Sequence, residues 1–230
     1  MNKGIQKIFS EASHSYELVN HILTWGLDIR WRRKSAKTAT AEGGTRWMDI
    51  CSGTGETAAY LTRLAETGTT IVSADFCFDM LYEATKKPEA DRIAFTLADA
   101  GNLPFSNETF DLITISFATR NINVNRDALL QCFREFYRIL KPGGRFVNLE
   151  TSQPTSALIR KLFHLYIRLA VAPVGSIISG SKAAYAYLSH TIPRFYDAVE
   201  FADIIRQAGF AEVSFHNMMF GIAAIHKAVK

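Results

Sequence analysis

The sequence predicts a doubly wound α/β fold: a mostly parallel seven-stranded sheet that ends in an antiparallel hairpin, with helical lid segments. Short apolar runs alternate with stretches of helical spacing, and the first run enters its helix through a glycine-rich turn. The last two runs are joined too tightly for a parallel crossover.

Residues 47–51 form the first run and end in Ser52-Gly53-Thr54-Gly55; Ala58, Ala59, Leu61 and Leu64 then mark a helix over 56–64. A strand over 70–74 closes at Asp75, a helix follows over 78–86, and a strand over 93–97 closes at Asp99. Next come a strand over 110–117, a helix over 126–140, and a strand over 144–150 after the Lys-Pro-Gly-Gly turn. A helix over 198–208 is closed by Gly209, a residue suited to a left-handed cap, and strands over 211–216 and 219–228 make the hairpin. Residues 1–40 and 152–197 fall outside the alternation. Rich in aromatic and apolar residues, they are expected to cover the carboxyl edge of the sheet, where open α/β sheets bind ligands.

At 230 residues, with 48% hydrophobic and 21% charged residues, the chain suits one domain over 1–230. The net charge of +4 is scattered apart from Arg30, Arg32, Arg33 and Lys34, which read as a solvated face or as a contact for an acidic membrane surface. That is too little for a nucleic-acid arm, so no nucleic-acid partner is expected. Cys51, Cys77 and Cys132 show neither disulfide nor zinc spacing, and the N-terminal residues lack the apolar run of a signal peptide, so a cytoplasmic location is expected. No segment offers ~20 uninterrupted apolar residues. The nearest, 157–178, is broken by Arg160, Lys161, His164 and Arg168, which suits an interfacial helix or one packed on a second copy in a homodimer.

The run Asp49-Ile50-Cys51-Ser52-Gly53-Thr54-Gly55 places glycines and a helix N-terminus where backbone can approach a ligand. Asp75, one strand on, can accept both hydroxyls of a ribose; Asp99, followed by Ala100, can accept from the amino group of adenine while a backbone N–H meets the ring. Any one strand-end aspartate can be a turn residue or cap, but three in succession point to an adenosine-containing ligand. A nicotinamide cofactor is disfavoured because the frame lacks a third glycine, and ATP because no GxxxxGK[ST] is present.

With these residues in place, the chain resembles the quinone C-methyltransferases that act on demethylmenaquinone and polyprenyl-benzoquinol precursors. The resemblance rests on YELVN (16–20), Trp25-Gly26, Trp31-Arg32-Arg33, DICSGTG (49–55), LADAGNLPFSNETFDLITISFATRN (97–121) and LKPGGRFVNLETSQP (140–154). YAYL (185–188) and GIAAIH (221–226) complete it, so nearly the whole chain is covered in order. It implies S-adenosylmethionine (SAM) as cofactor, held by Asp49, Cys51, Gly53, Gly55, Asp75, Asp99 and Ala100, and a prenylated quinol as acceptor. It also implies catalytic roles for Arg120 and Asn121. The chain departs from the family pattern at Glu17, Ala118, Thr119, Lys182, Ala183 and His190, positions expected in the acceptor pocket.

A ring carbon attacks a sulfonium methyl only when a neighbouring hydroxyl loses its proton, which costs about 4 kcal/mol at pH 7 for a phenol of pKa ~10. Arg120 can hold the developing phenolate and Asn121 can orient the ring or a water. Water, His190, His14 and Tyr16 are the candidate proton acceptors. Phe117-Ala118-Thr119 supplies neither the Pro-Cys of pyrimidine-ring methyltransferases nor the Pro-Pro-aromatic turn of exocyclic-amine methylation. Another aromatic or prenylated acceptor, or a non-catalytic SAM-binding subunit, remain as alternatives.

Overall fold

The computed structural model describes residues 3–230, so residues 1 and 2 of the expected N-terminal lid lie outside it. Three helices, α1 (Lys3–Ala12), α2 (Tyr16–Leu23) and α3 (Leu27–Thr40), precede β1 (Arg46–Ile50). The alternating core follows: α4 (Glu56–Leu64), β2 (Thr70–Asp75), α5 (Phe78–Ala84), β3 (Ile93–Leu97), β4 (Phe110–Ser116), α6 (Thr119–Ile122), α7 (Arg126–Ile139) and β5 (Leu140–Thr151). The second insertion holds α8 (Ala157–Tyr166), a π turn (Ile167–Val171), α9 (Ala172–Ser179) and α10 (Lys182–Thr191). The chain then runs through α11 (Ala198–Gln207), β6 (Ala211–Met218) and β7 (Ala223–Val229).

The strands order as β3-β2-β1-β4-β5-β7-β6. The first five pair in parallel, and β7 lies antiparallel between β5 and β6. Alternation along each strand builds two cores. Met48, Ile50, Ile113 and Phe146 face the aromatic cluster of Phe133, Phe136 and Phe201 on α7 and α11, while Trp47, Leu112, Val147 and Leu149 face Ala36, Ala39, Ala58 and Leu61 on α3 and α4. This is the doubly wound arrangement that the alternation predicts.

Four local features depart from the expected elements. Met219 and Phe220 take left-handed backbone (φ 45° and 57°), so pairing resumes at Ala223 rather than 219. The strand expected from 144 begins at Leu140, because a bulge between Phe110 and Leu112 lets Leu140 pair with Phe110 before the main register starts. A one-turn helix, α6, forms directly after β4. Finally, α8, the π turn and α9 make one helical run, Ala157–Ser179, of 23 residues, with an 18-residue window of mean hydropathy 1.5, which by length and composition is enough to cross a bilayer. Its Phe163, Ile167, Val171 and Gly175 instead form a buried stripe seated on the rest of the lid.

The two lid segments pack on each other. Ala12, Val19 and Leu23 join Phe163, Ile167, Val171, Tyr185 and Leu188 in one cluster above the sheet's carboxyl edge. Gly175 is needed there: a Cβ on it would lie 2.1 Å from Cδ1 of Tyr185.

Candidate active site

The glycine turn after β1 and the ends of β2, β3 and β4 border a cavity of about 300 Å³. Cys51 and Gly53 take positive φ (51° and 55°), and the turn is pinned by Ser52 N–H donating to the Ala74 carbonyl at 3.1 Å. A Cβ on Gly53 would meet nothing within 4 Å, so this glycine borders open space. Gly55 does a different job: it has φ 79° at the start of α4, and a Cβ there would come within 2.8 Å of Ala84 Cβ.

Asp75 is buried in the wall of this cavity. Its Oδ2 accepts from Gly53 N at 2.8 Å and its Oδ1 from Cys77 N at 2.9 Å, which fixes the carboxylate while leaving lone pairs for hydroxyl donors. Burial pushes its pKa up, against these amides. Asp99 and Ala100 border the same space, and Asp99 Oδ1 accepts from Gly101 N at 3.0 Å. Cys51 is also in the wall, its thiol pushed well up by burial and the neighbouring carboxylates, so it is present as the thiol. Asp49 stands apart from these walls, on the α4 side of the sheet, where its Oδ1 accepts from Thr114 Oγ1 at 2.7 Å. Burial raises its pKa to about 7, with the Thr114 bond and Arg32 pulling the other way. Asp49 is thus absent from the residues that border the cavity and is tied to β4 through Thr114.

A second cavity, of about 390 Å³ and mainly apolar, lies between the two lid segments and the sheet edge. Leu23, Trp31, Phe163, Tyr166 and Leu188 are among its walls, and Tyr16, Arg32 and Phe117 line both spaces. Arg120 lines this second cavity and Asn121 the first, so the neighbours expected to act together look into adjoining chambers.

Arg120 is buried, and its Nη1 donates to Glu150 Oε1 at 2.8 Å and to Thr151 Oγ1 at 3.2 Å. Glu150 Oε2 accepts from the Arg120 backbone N–H at 3.1 Å, and Thr151 N and Oγ1 add bonds of 2.8 and 3.0 Å to Oε1. With four donors on two oxygens, Glu150 is an anchor for the guanidinium and not a free base. The Oδ1 of Asn121 is buried without a hydrogen-bond partner among the described residues.

Two candidate proton acceptors face elsewhere. His14 is largely exposed and sits 2.6 Å from Glu83, while His190 lies on the surface beside Arg194. Tyr16 is at the junction, its phenol pushed up by burial although Arg120 and Arg32 pull it down.

Nor do the departures from the family pattern fall in the apolar cavity. Glu17 pairs with Lys87 at 2.7 Å, Ala118 borders the first cavity, Lys182, Ala183 and His190 are exposed, and Thr119 bonds Asn148 inside the fold. Lys182, Ala183 and His190 lie on the lid's outer face, because helical spacing turns them away from the stripe that lines the apolar cavity. The basic cluster divides likewise: Arg30, Arg33 and Lys34 are exposed, but Arg32 is buried, contrary to a wholly solvated reading. Glu150 and Arg32 are the site residues that the motifs did not single out. For Arg32 the available signal was its place on the stripe of Asp28, Ala36 and Ala39. Glu17, His21 and Glu56 bring ligand atoms within 4.8 Å of one another, yet Lys87, Asp28 and Arg32 already partner them, making an ion-pair network.

A polar chamber with strand-end carboxylates, opening onto an apolar chamber beneath a helical lid, on a parallel sheet closed by an antiparallel hairpin, defines a SAM-dependent methyltransferase. The chain belongs to the ubiE/COQ5 methyltransferase family, whose sequence profile matches residues 1–230. It is 36% identical over 227 residues to the ubiquinone/menaquinone biosynthesis C-methyltransferase UbiE of Desulfotalea psychrophila, covering 99% of this chain and 90% of that protein. To the demethylmenaquinone methyltransferase of Clavibacter sepedonicus it is also 36% identical over 227 residues, covering 98% and 90%. A SAM-dependent methyltransferase from Thermotoga maritima shares the fold, with TM-score 0.64 at 21% identity over 97% of this chain and 99% of that one.

Proposed function

We propose that this chain, working as one domain with two lid segments, transfers a methyl group from SAM to a ring carbon of a prenylated quinol in quinone biosynthesis. The observation that carries this is the apolar cavity joined to the polar one through Tyr16, Arg32 and Phe117, with Arg120 as a fixed cation in its wall. The ring belongs at the junction and the start of the tail between the lid segments.

The first cavity suits SAM: Asp75 offers lone pairs for a ribose, Asp99 and Ala100 border the adenine end, and Gly53 leaves room for close approach. When bound, SAM supplies an electrophilic methyl carbon. The protein's part is to align the ring with that carbon and to lower the cost of the phenolate. Arg120 does the second, its guanidinium held by Glu150 so that no reorganisation is needed as charge develops. The hydroxyl proton passes to water held beside Asn121, which lines the first cavity. Loss of the ring hydrogen from the methylated carbon restores the aromatic ring as a phenolate, which takes a proton back from water, so one proton is released overall.

The same reading puts the enzyme's work in the cytoplasm in peripheral contact with a membrane, and the lid supports it. Exposed Leu158, Leu162, Leu165 and Leu169 run along the outer face of the 157–179 helix between Arg160, Lys161 and Arg168, and Trp25 (87% exposed) stands at the cavity's edge. Incubation with labelled SAM and a total lipid extract, followed by mass analysis, tests the function. A labelled prenylated quinone gaining one methyl is the expected product; label in a different aromatic class, or none, would overturn the reading.

A further inference from the structure

We propose that Arg32 is the residue that binds the carboxylate at the amino-acid end of the cofactor. The inference rests on the SAM reading of the first cavity.

SAM carries its adenosine and amino-acid parts on either side of the sulfonium. Asp75 and Asp99 stand where the adenosine part fits, and the methyl must reach the junction with the apolar cavity. The amino-acid part, attached to the same sulfur, therefore ends close to that junction. It carries one carboxylate and one ammonium, and burying an anion without a counterion is costly. Among the described residues bordering the first cavity, Arg32 is the one with a cationic side chain, and it sits at the junction.

Its geometry suits the task. Arg32 is 7% exposed, its guanidinium lies 5.0 Å from the centroid of the Phe117 ring, and Nη1 donates to Thr57 Oγ1 at 3.2 Å. Nε is 3.3 Å from Glu56 Oε2 but lacks hydrogen-bond geometry, and Nη2 donates to no protein acceptor among the described residues. A planar fork so held keeps donors for a carboxylate. The neighbouring Glu56 does not cancel the attraction, because the ligand's own ammonium can face it. A zwitterion then meets an ion pair of matching sense.

The test is calorimetric, with S-adenosylhomocysteine and its decarboxylated counterpart as probes, on wild type, Arg32→Gln and Arg32→Lys. Wild type should lose at least tenfold in affinity when the carboxylate is removed. Arg32→Gln should bind the carboxylate-bearing probe at least tenfold more weakly than wild type, yet bind the decarboxylated one within about threefold. Arg32→Lys, which keeps the charge and the pairing with Glu56, should restore part of the discrimination and serves as the reporter if the Gln variant does not fold. Equal losses for both probes would make Arg32 a strut between α3 and α4 and overturn the proposal alone. So would a wild type indifferent to the carboxylate. Failure of wild type to bind either probe would overturn the SAM reading together with it.

Discussion

Replacing Arg120 should damage stability and turnover by separable routes. Arg120→Met removes the ion-pair partner that Glu150, a carboxylate 2% exposed, has among the described residues, and one of its four hydrogen-bond donors there. Breaking a buried pair from one side costs about 3–5 kcal/mol. At roughly 2–4 °C per kcal/mol for a chain of this size, the melting temperature should fall by on the order of 10 °C. The double variant Arg120→Met/Glu150→Gln leaves no buried charge and keeps an oxygen for the Thr151 donors, so most of that loss should return. Turnover should behave otherwise, because neither variant retains the cation facing the phenolate: both should fall at least 100-fold at saturating acceptor, about 2.7 kcal/mol of transition-state stabilisation. SAM affinity should hold, since Arg120 does not border the first cavity, which is proposed to hold SAM. Calorimetric melting and single-turnover methyl transfer read the two effects. Equal melting temperatures for single and double variants would refute the buried-pair account, and a turnover loss below tenfold in the double variant would refute the electrostatic one.

Asp75→Ala should weaken SAM binding at least tenfold by calorimetry, through lost ribose bonds worth ~1.5–3 kcal/mol and a loosened Gly53 turn; unchanged affinity would remove the ribose assignment. Two buried groups should set the acid side of the stability curve in opposite senses. Asp49, raised to about 7, binds its proton more tightly in the folded state, so its contribution grows as pH falls from 7 towards 4; His226, lowered to about 4 by burial, is lost over 6.5 to 4 as the unfolded chain gains the proton. Asp49→Asn should therefore steepen denaturation below pH 6.5 and His226→Gln should flatten it, with the reverse order in urea titrations counting against both shifts. Gly175→Ala should lower the melting temperature by a few degrees, since the added methyl collides with Tyr185 and overpacking costs ~1–3 kcal/mol; an unchanged melt would mean that the lid relaxes freely. Flotation with anionic liposomes should occur at low salt and fall sharply at high salt or in Arg160→Glu/Lys161→Glu, and indifference to both would leave the helix as packing.

The alternation of strands and helices was legible because strands covered on both faces read as short, continuously buried runs, as at Trp47-Met48-Asp49-Ile50, whereas helices show helical spacing, as across Ala58, Ala59 and Leu61. The walls of the first cavity were legible at strand ends, since the chain must turn there, at the carboxyl edge of the sheet. Asp49 misled for the same reason: it precedes the turn by two residues, and the pleat directs it onto the α4 face, where it meets Thr114. The Arg120–Glu150 pair could not be read from spacing, because it joins positions 30 residues apart that only the register of β4 against β5 brings together. Arg32 was hidden by its neighbours. Three exposed cations surround it in sequence, while the fold buries it alone.

The place of β7 between β5 and β6 has a consequence for how the polypeptide is made. Val147 and Leu149 of β5 leave the ribosome well before their antiparallel partners at Lys227 and Ile225, so the longest strand of the sheet waits with an unpaired edge while some 70 further residues are added. The nascent chain can gather the parallel half early, but the sheet closes only when residues 223–229 emerge. A ribosome stalled within the second lid segment would thus hold out an open, apolar strand edge, the form in which this protein is most exposed to aggregation and most in need of a chaperone.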